Sequence, residues 1–172
     1  MANRVKGFRL EDSLVSELQN ESEQKRISLN NHVSNILTKH AISYRHLEKL
    51  HYLWSSPELI KALLESLDQD KIKRILKIYE KDLIRQIRYS QGDLNSITVM
   101  NLIENNCLLQ DIPYTKQNKG NGEVKYIILH QLGKKWSDLN KMALENIMKS
   151  ISATIKDFDY NGEHLSLTVI HK

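Results

Sequence analysis

The sequence predicts an α+β chain of three parts: a strand–helix–helix segment over 1–45, a helical middle segment over 46–92, and an α+β domain over 93–172. Three observations predict this. A short strand-like run, Val5 to Leu10, precedes two helix-length amphipathic segments joined at Arg26-Ile27-Ser28. A helical period then continues to about Tyr89, and beyond Ile112 the apolar residues change to the two-residue spacing of strands.

In the first helix Leu14, Val15 and Leu18 share one face; in the second, Ser28 is an N-cap and Val33, Ile36, Leu37 and Ala41 form the apolar stripe. The stripe Tyr44, Leu47, Leu50, Leu53 and Trp54 runs up to the break at Ser55-Ser56-Pro57. Pro57 suits a first helical position, and Leu59, Leu63, Leu64 and Leu67 make a short helix. A longer one, from about Asp70 to Tyr89, buries Ile72, Ile75, Leu76, Tyr79, Leu83 and Ile87 and ends at Gly92. Lys71, Arg74, Lys77, Lys81, Arg85 and Arg88 recur on it at three- and four-residue spacing, which makes either a solvated face or a phosphate-contacting one.

A helix over about Asn95 to Asn106, a turn over Asn118 to Gly122 and a strand over Val124 to Leu129 follow. A helix from about Ser137 to Ser152 presents Leu139, Met142, Ala143, Ile147 and Ile151 to a sheet face. The chain closes on a hairpin at Asn161-Gly162 with Phe158 facing Leu165, so the unit reads as a ββαββ layer.

Residues 3 to about 43 resemble the ribbon-helix-helix (Met repressor/Arc-like) DNA-binding family: Phe8 and Leu10 fall on the core face, Ser22 takes the small-residue place, and Ile27-Ser28-Leu29-Asn30 matches the inter-helix signature. Glu11 and Arg26 stand where many members carry proline and glycine. The resemblance implies a homodimer in which two strands pair as an antiparallel β-ribbon in the major groove of DNA. Carried over by position, Asn3, Val5, Gly7 and Arg9 face the bases, with Arg9 the strongest reader. Arg4, Lys6, Lys25 and the amides of Ser28, Leu29 and Asn30 meet phosphates.

The 172 residues exceed the needs of that unit by enough for a second core, and a net charge of +4 with a pI near 9.0 permits nucleic-acid binding. The single cysteine, Cys107, excludes an intramolecular disulfide and any multi-cysteine zinc site. No signal-peptide core and no membrane-length apolar run occurs, so a cytoplasmic protein without membrane contact is expected.

Few constellations suggest chemistry. Asp157 to Gly162 matches the first half of a calcium loop, but its twelfth position is Thr168, and a plain hairpin fits better. Gly133-Lys134-Lys135-Trp136-Ser137 lies between strand and helix, yet Ile128 replaces the first glycine of a phosphate loop. His130, His164, His171 and Cys107 lack the closely paired histidines of a metal-sensing regulator. With no catalytic arrangement and no cofactor fingerprint, the chain reads as no enzyme and as needing no cofactor or metal. The expected function is a homodimeric, sequence-specific transcriptional regulator such as a repressor, bound to double-stranded DNA. Its C-terminal domain would sense or assemble, with a small-molecule or anion effector at His130, Lys134, Lys135 and Trp136 and a higher homo-oligomer left open. The alternatives are the antitoxin of a toxin pair, a dimerisation module without DNA binding and a small-molecule enzyme of unrecognised type.

Overall fold

The computed structural model describes residues 7–50 and 55–171, which divide into two compact units, Met1–Ile42 and Ser43–Lys172. The first unit contains helices α1 (Asp12–Gln24) and α2 (Leu29–Lys39), packed on each other. The second begins within a π-type helical turn, His40–Tyr44, and continues with α3 (Arg45–Lys49), α4 (Pro57–Glu65), α5 (Gln69–Gln91), α6 (Ser96–Leu109), β1 (Tyr114–Gly120), β2 (Glu123–Leu129), α7 (Lys134–Ser150), β3 (Thr154–Tyr160) and β4 (His164–Ile170).

The expected N-terminal β-ribbon is corrected by this order. Gly7 to Leu10 form no strand, Val5 and Lys6 lie outside the described residues, and the first regular element is α1. A strand exists only through the neighbour that takes its donors and acceptors, and β1 to β4 pair among themselves without reaching residues 7–10. Phe8 and Leu10, expected on the core face, are exposed in the single chain.

The turn between α1 and α2 has a definite chemistry. Arg26 sits at φ +54°, its N–H donates to Glu23 O, and Ile27 N–H donates to Ser22 O at 3.0 Å, which closes α1 with a Schellman cap. Glycine is the usual residue at that left-handed position, and arginine holds it at a cost of about 1 kcal/mol. Ser28 then caps α2, its Oγ accepting from Asn31 N–H at 3.2 Å.

In the second unit the sheet order is β1-β2-β4-β3, all antiparallel, with α7 joining its two hairpins. Val124, Tyr126 and Ile128 of β2 and Leu165, Leu167 and Val169 of β4 point to the helical side. There they meet Leu139, Ala143, Leu144, Ile147 and Met148 of α7, and Ile72, Leu76, Leu83 and Ile87 of α5 join the same core. The helices expected as a middle segment thus help to cover the sheet. Asn140 ties α5 to α7: Tyr79 Oη donates to its Oδ1 at 2.7 Å, while its Nδ2 donates to Trp136 O.

Two details of the sheet differ from expectation. β1 takes in Asn118 to Gly120, leaving the turn to Asn121 (φ +51°) and Gly122 (φ +76°), as a tight hairpin requires. A Cβ on Gly122 would lie 2.7 Å from the carbonyl oxygen of His171, so glycine is needed there on two counts. The β3–β4 turn is wider than two residues, closed by Asn161 N–H donating to His164 O at 3.0 Å, so Tyr160 rather than Phe158 stands opposite Leu165. Farther along, a bulge between Lys156 and Asp159, with Asp157 at φ +52°, shifts the register by one more residue.

Candidate nucleic-acid interface

Burial in the first unit is inverted. Among its described residues the buried side chains are polar, Ser22 and His32, each 3% exposed, whereas Phe8 is 73% and Leu37 52% exposed. Leu10, Leu14, Ile36 and Ile42 are exposed as well. One polar contact links α1 to α2, His32 Nε2 meeting Glu21 Oε2 at 2.9 Å, while the buried Ser22 Oγ donates within α1 to Gln19 O at 2.8 Å. Two short helices clipped by an imidazole–carboxylate contact leave Leu14, Ile36 and Leu37 of their apolar stripes exposed, with Val15, Leu18 and Val33 half-buried.

The residues expected to meet DNA are placed as follows. Asn3, Arg4, Val5 and Lys6 lie outside the described residues. Gly7 and Arg9 are exposed on the segment leading into α1. Lys25 is at the C-cap of α1, 3.7 Å from the Glu21 carboxylate, and Ser28, Leu29 and Asn30 form the first turn of α2 with its cap. Lys25 thus precedes the cap of α2 by three residues and faces Glu21, and Arg9 belongs to a separate stretch of backbone.

A second concentration of cations lies on α5. Lys71, Lys73 and Arg85 pair with Asp68, Asp70 and Asp82, but Arg74, Lys77, Lys81 and Arg88 are exposed and form no ion pair among the described residues. Glu80, the remaining acid of the helix, accepts a hydrogen bond from Asn146 Nδ2 of α7 at 2.6 Å.

The expected effector contacts sit where β2 gives way to α7. His130 is 5% exposed, and burial pushes its pKa down to about 4. Its Nδ1 accepts Leu132 N–H at 2.9 Å, which assigns the ring proton to Nε2; that group donates to Ser137 Oγ at 2.8 Å, and Ser137 donates to Asn161 O at 2.6 Å. The half-buried Trp136 ring lies 4.3 Å from the imidazole, centroid to centroid. Lys135 Nζ donates to the carbonyls of Glu65 and Leu67, satisfying the end of α4, and Lys134 is exposed. Each donor and acceptor of His130 and Ser137 is thus committed to internal structure. The serine proton points to a backbone carbonyl rather than to the imidazole, so the pair lacks the polarity of a nucleophile and its base.

Other titratable groups are equally occupied. Cys107 is buried, and desolvation raises its pKa to about 12, so the thiol form is the stable one. His171 Nδ1 contacts Ser96 Oγ at 3.0 Å, and His164 lies 3.5 Å from Asp159. Among the described residues no three His, Cys, Asp or Glu side chains converge as a metal site would require. No described helix is long and apolar enough to cross a membrane. No protein-family model and no curated protein sequence matches the chain.

Sequence reasoning missed the Ser137–Asn161 link, the Lys135 cap and the His32–Glu21 pair. None has a local signal, because each joins residues from separate elements whose meeting depends on tertiary packing.

Proposed function

We propose that the chain is a homodimeric, sequence-specific DNA-binding regulator in which residues up to Ile42 dimerise and contact DNA and the larger α+β unit governs assembly or response. The observation that carries this reading is the inverted burial of the first unit: Phe8, Leu10, Leu14, Ile36 and Leu37 are exposed around a helix pair whose buried residues are Ser22 and His32. About forty residues cannot supply a stable apolar core alone, and a second copy buries matching stripes at once. DNA contact is supported by the exposed Arg9, whose planar fork suits guanine O6 and N7, and by Lys25, three residues before the cap of α2.

The test is selection from a random duplex pool by the full chain, combined with sedimentation of the free protein. The expected result is a two-fold-related enriched motif bound by a dimer. A pool that stays unenriched while the dimer forms would replace this reading with a dimerisation module that does not read DNA. A protein monomeric at micromolar concentration would overturn the dimer.

A further inference from the structure

The positive charge of this chain is concentrated away from the first unit. Between Gln69 and Gln91 there are seven Lys/Arg against three Asp/Glu, whereas the first unit, Met1–Ile42, holds six against five. The acids near α5 are spoken for by Lys71, Lys73, Arg85 and Asn146, which leaves Arg74, Lys77, Lys81 and Arg88 as cations without an ion-pair partner among the described residues. At 100° per residue these four fall within one exposed stripe, opposite the buried Ile72, Leu76, Leu83 and Ile87. From Arg74 to Arg88 the stripe is about 21 Å long. Ile78, 66% exposed, lies along it.

We infer that this face of α5 is a second DNA contact, one that grips the phosphate backbone of duplex DNA without regard to sequence. The inference rests on the DNA-binding reading above and adds a surface to it. A row of cations about 21 Å long on a rigid helix complements a strand that offers one phosphate per ~3.4 Å of duplex axis. The packing of α5 on α6 and α7 holds that row straight at no further ordering cost. An anionic membrane fits the same charge poorly, since a membrane-surface helix needs a broad apolar face beside its cations. The apolar face of α5 is committed to the core, and Ile78 alone does not replace it.

The test compares the full chain with R74Q/K77Q/K81Q/R88Q, which removes the charges while keeping good helix formers at exposed positions. Affinities for the selected site and for an unrelated duplex are measured between about 50 and 200 mM salt. The expected result is a parallel loss of at least tenfold on both duplexes, an unchanged ratio between them, and a log–log salt slope shallower by about 3–4 per protomer. Unchanged slopes and affinities, with the variant's circular dichroism and melting as in the parent, overturn the inference and leave the functional reading standing. Absence of any duplex binding by the parent at low salt overturns both. Retained DNA binding with lost binding to phosphatidylserine vesicles or polyglutamate overturns the inference in favour of a different polyanion. Should the quadruple variant not fold, K77Q/K81Q is read in its place, with a slope change of about 2 expected.

Discussion

His130 Nε2 and Ser137 Oγ meet at 2.8 Å inside the second unit, and the hydroxyl in turn donates a hydrogen bond to the carbonyl of Asn161 at 2.6 Å. This chain joins the strand end, the first turn of α7 and the β3–β4 turn, which are also held by Gly133 N–H donating to Gly162 O at 2.9 Å. The junction that looked in sequence like a ligand site is thereby the clasp that fixes α7 on the sheet.

Removing the middle of the clasp leaves a buried donor and a buried acceptor without partners. Ser137→Ala should destabilise the second unit by about 1–3 kcal/mol. Urea melts followed by Trp136 fluorescence check this. An unchanged midpoint would mean that water replaces the hydroxyl and that the network is not structural.

The same burial sets a pH dependence. An imidazole in the unfolded chain takes up its proton near 6.5, whereas His130 in the fold takes it up only near 4. Stability from this group is therefore complete above 6.5 and lost progressively as pH falls from 6.5 to about 4. His46 and His171, also lowered chiefly by burial, act in the same direction. Melting temperature should fall across that window, and His130→Gln should flatten most of the fall. A window equally steep in the variant would assign the effect to other groups.

Arg26 offers the opposite kind of test. Glycine in its left-handed position should stabilise the first unit by up to about 1 kcal/mol, because both Schellman hydrogen bonds are kept while the Cβ strain is relieved. Greater hydrogen-exchange protection in α1 and α2 of Arg26→Gly is the measurement. Lower protection would show that the arginine side chain contributes more than its backbone strain costs.

These residues also show what can be read from a sequence and what cannot. The left-handed place of Arg26 was implied by the family resemblance, since many members carry glycine there, and the C-terminal ββαββ order follows from the strand-like run Val124 to Leu129, the Asn161-Gly162 turn and the stripe of α7. Half of β1 was hidden because Thr115 to Gly120 are exposed and uniformly polar, so no alternation marks this edge strand. The Phe158–Leu165 pairing does not form because the turn takes in Asn161 to His164 rather than Asn161-Gly162 alone, which moves Tyr160 opposite Leu165. The run Val5 to Leu10 has a strand's pattern, but pairing makes a strand, and local pattern carries no information about it. In the candidate interface the cations of α5 were visible from spacing alone. Which of them an acid neutralises depended on rotamers and on Asn146 arriving from α7.

The exposed stripe of the first unit predicts how its variants behave. Leu14 and Leu37 are open to solvent in a single chain, so Leu14→Glu and Leu37→Glu cost little in one copy but place carboxylates inside an apolar interface between two. The dimer dissociation constant should rise at least a hundredfold, read by sedimentation, with the melting of the second unit unchanged. A variant that remains dimeric would move the interface off this stripe.

Arg9 then separates recognition from attachment. It is exposed on the segment before α1 and has no ion pair among the described residues, so its replacement disturbs no internal contact. If it reads a guanine by its two N–H groups, Arg9→Ala should cost about 1–3 kcal/mol on the selected site and almost nothing on an unrelated duplex. The salt slope should change by less than about 1 per protomer, since a base contact releases no counterion. Removal of the α5 cations is expected to give the reverse pattern, with even loss on both duplexes and a large slope change. Discrimination that survives Arg9→Ala intact would place base reading in other residues of the first unit, and an even loss on both duplexes would make Arg9 a phosphate contact.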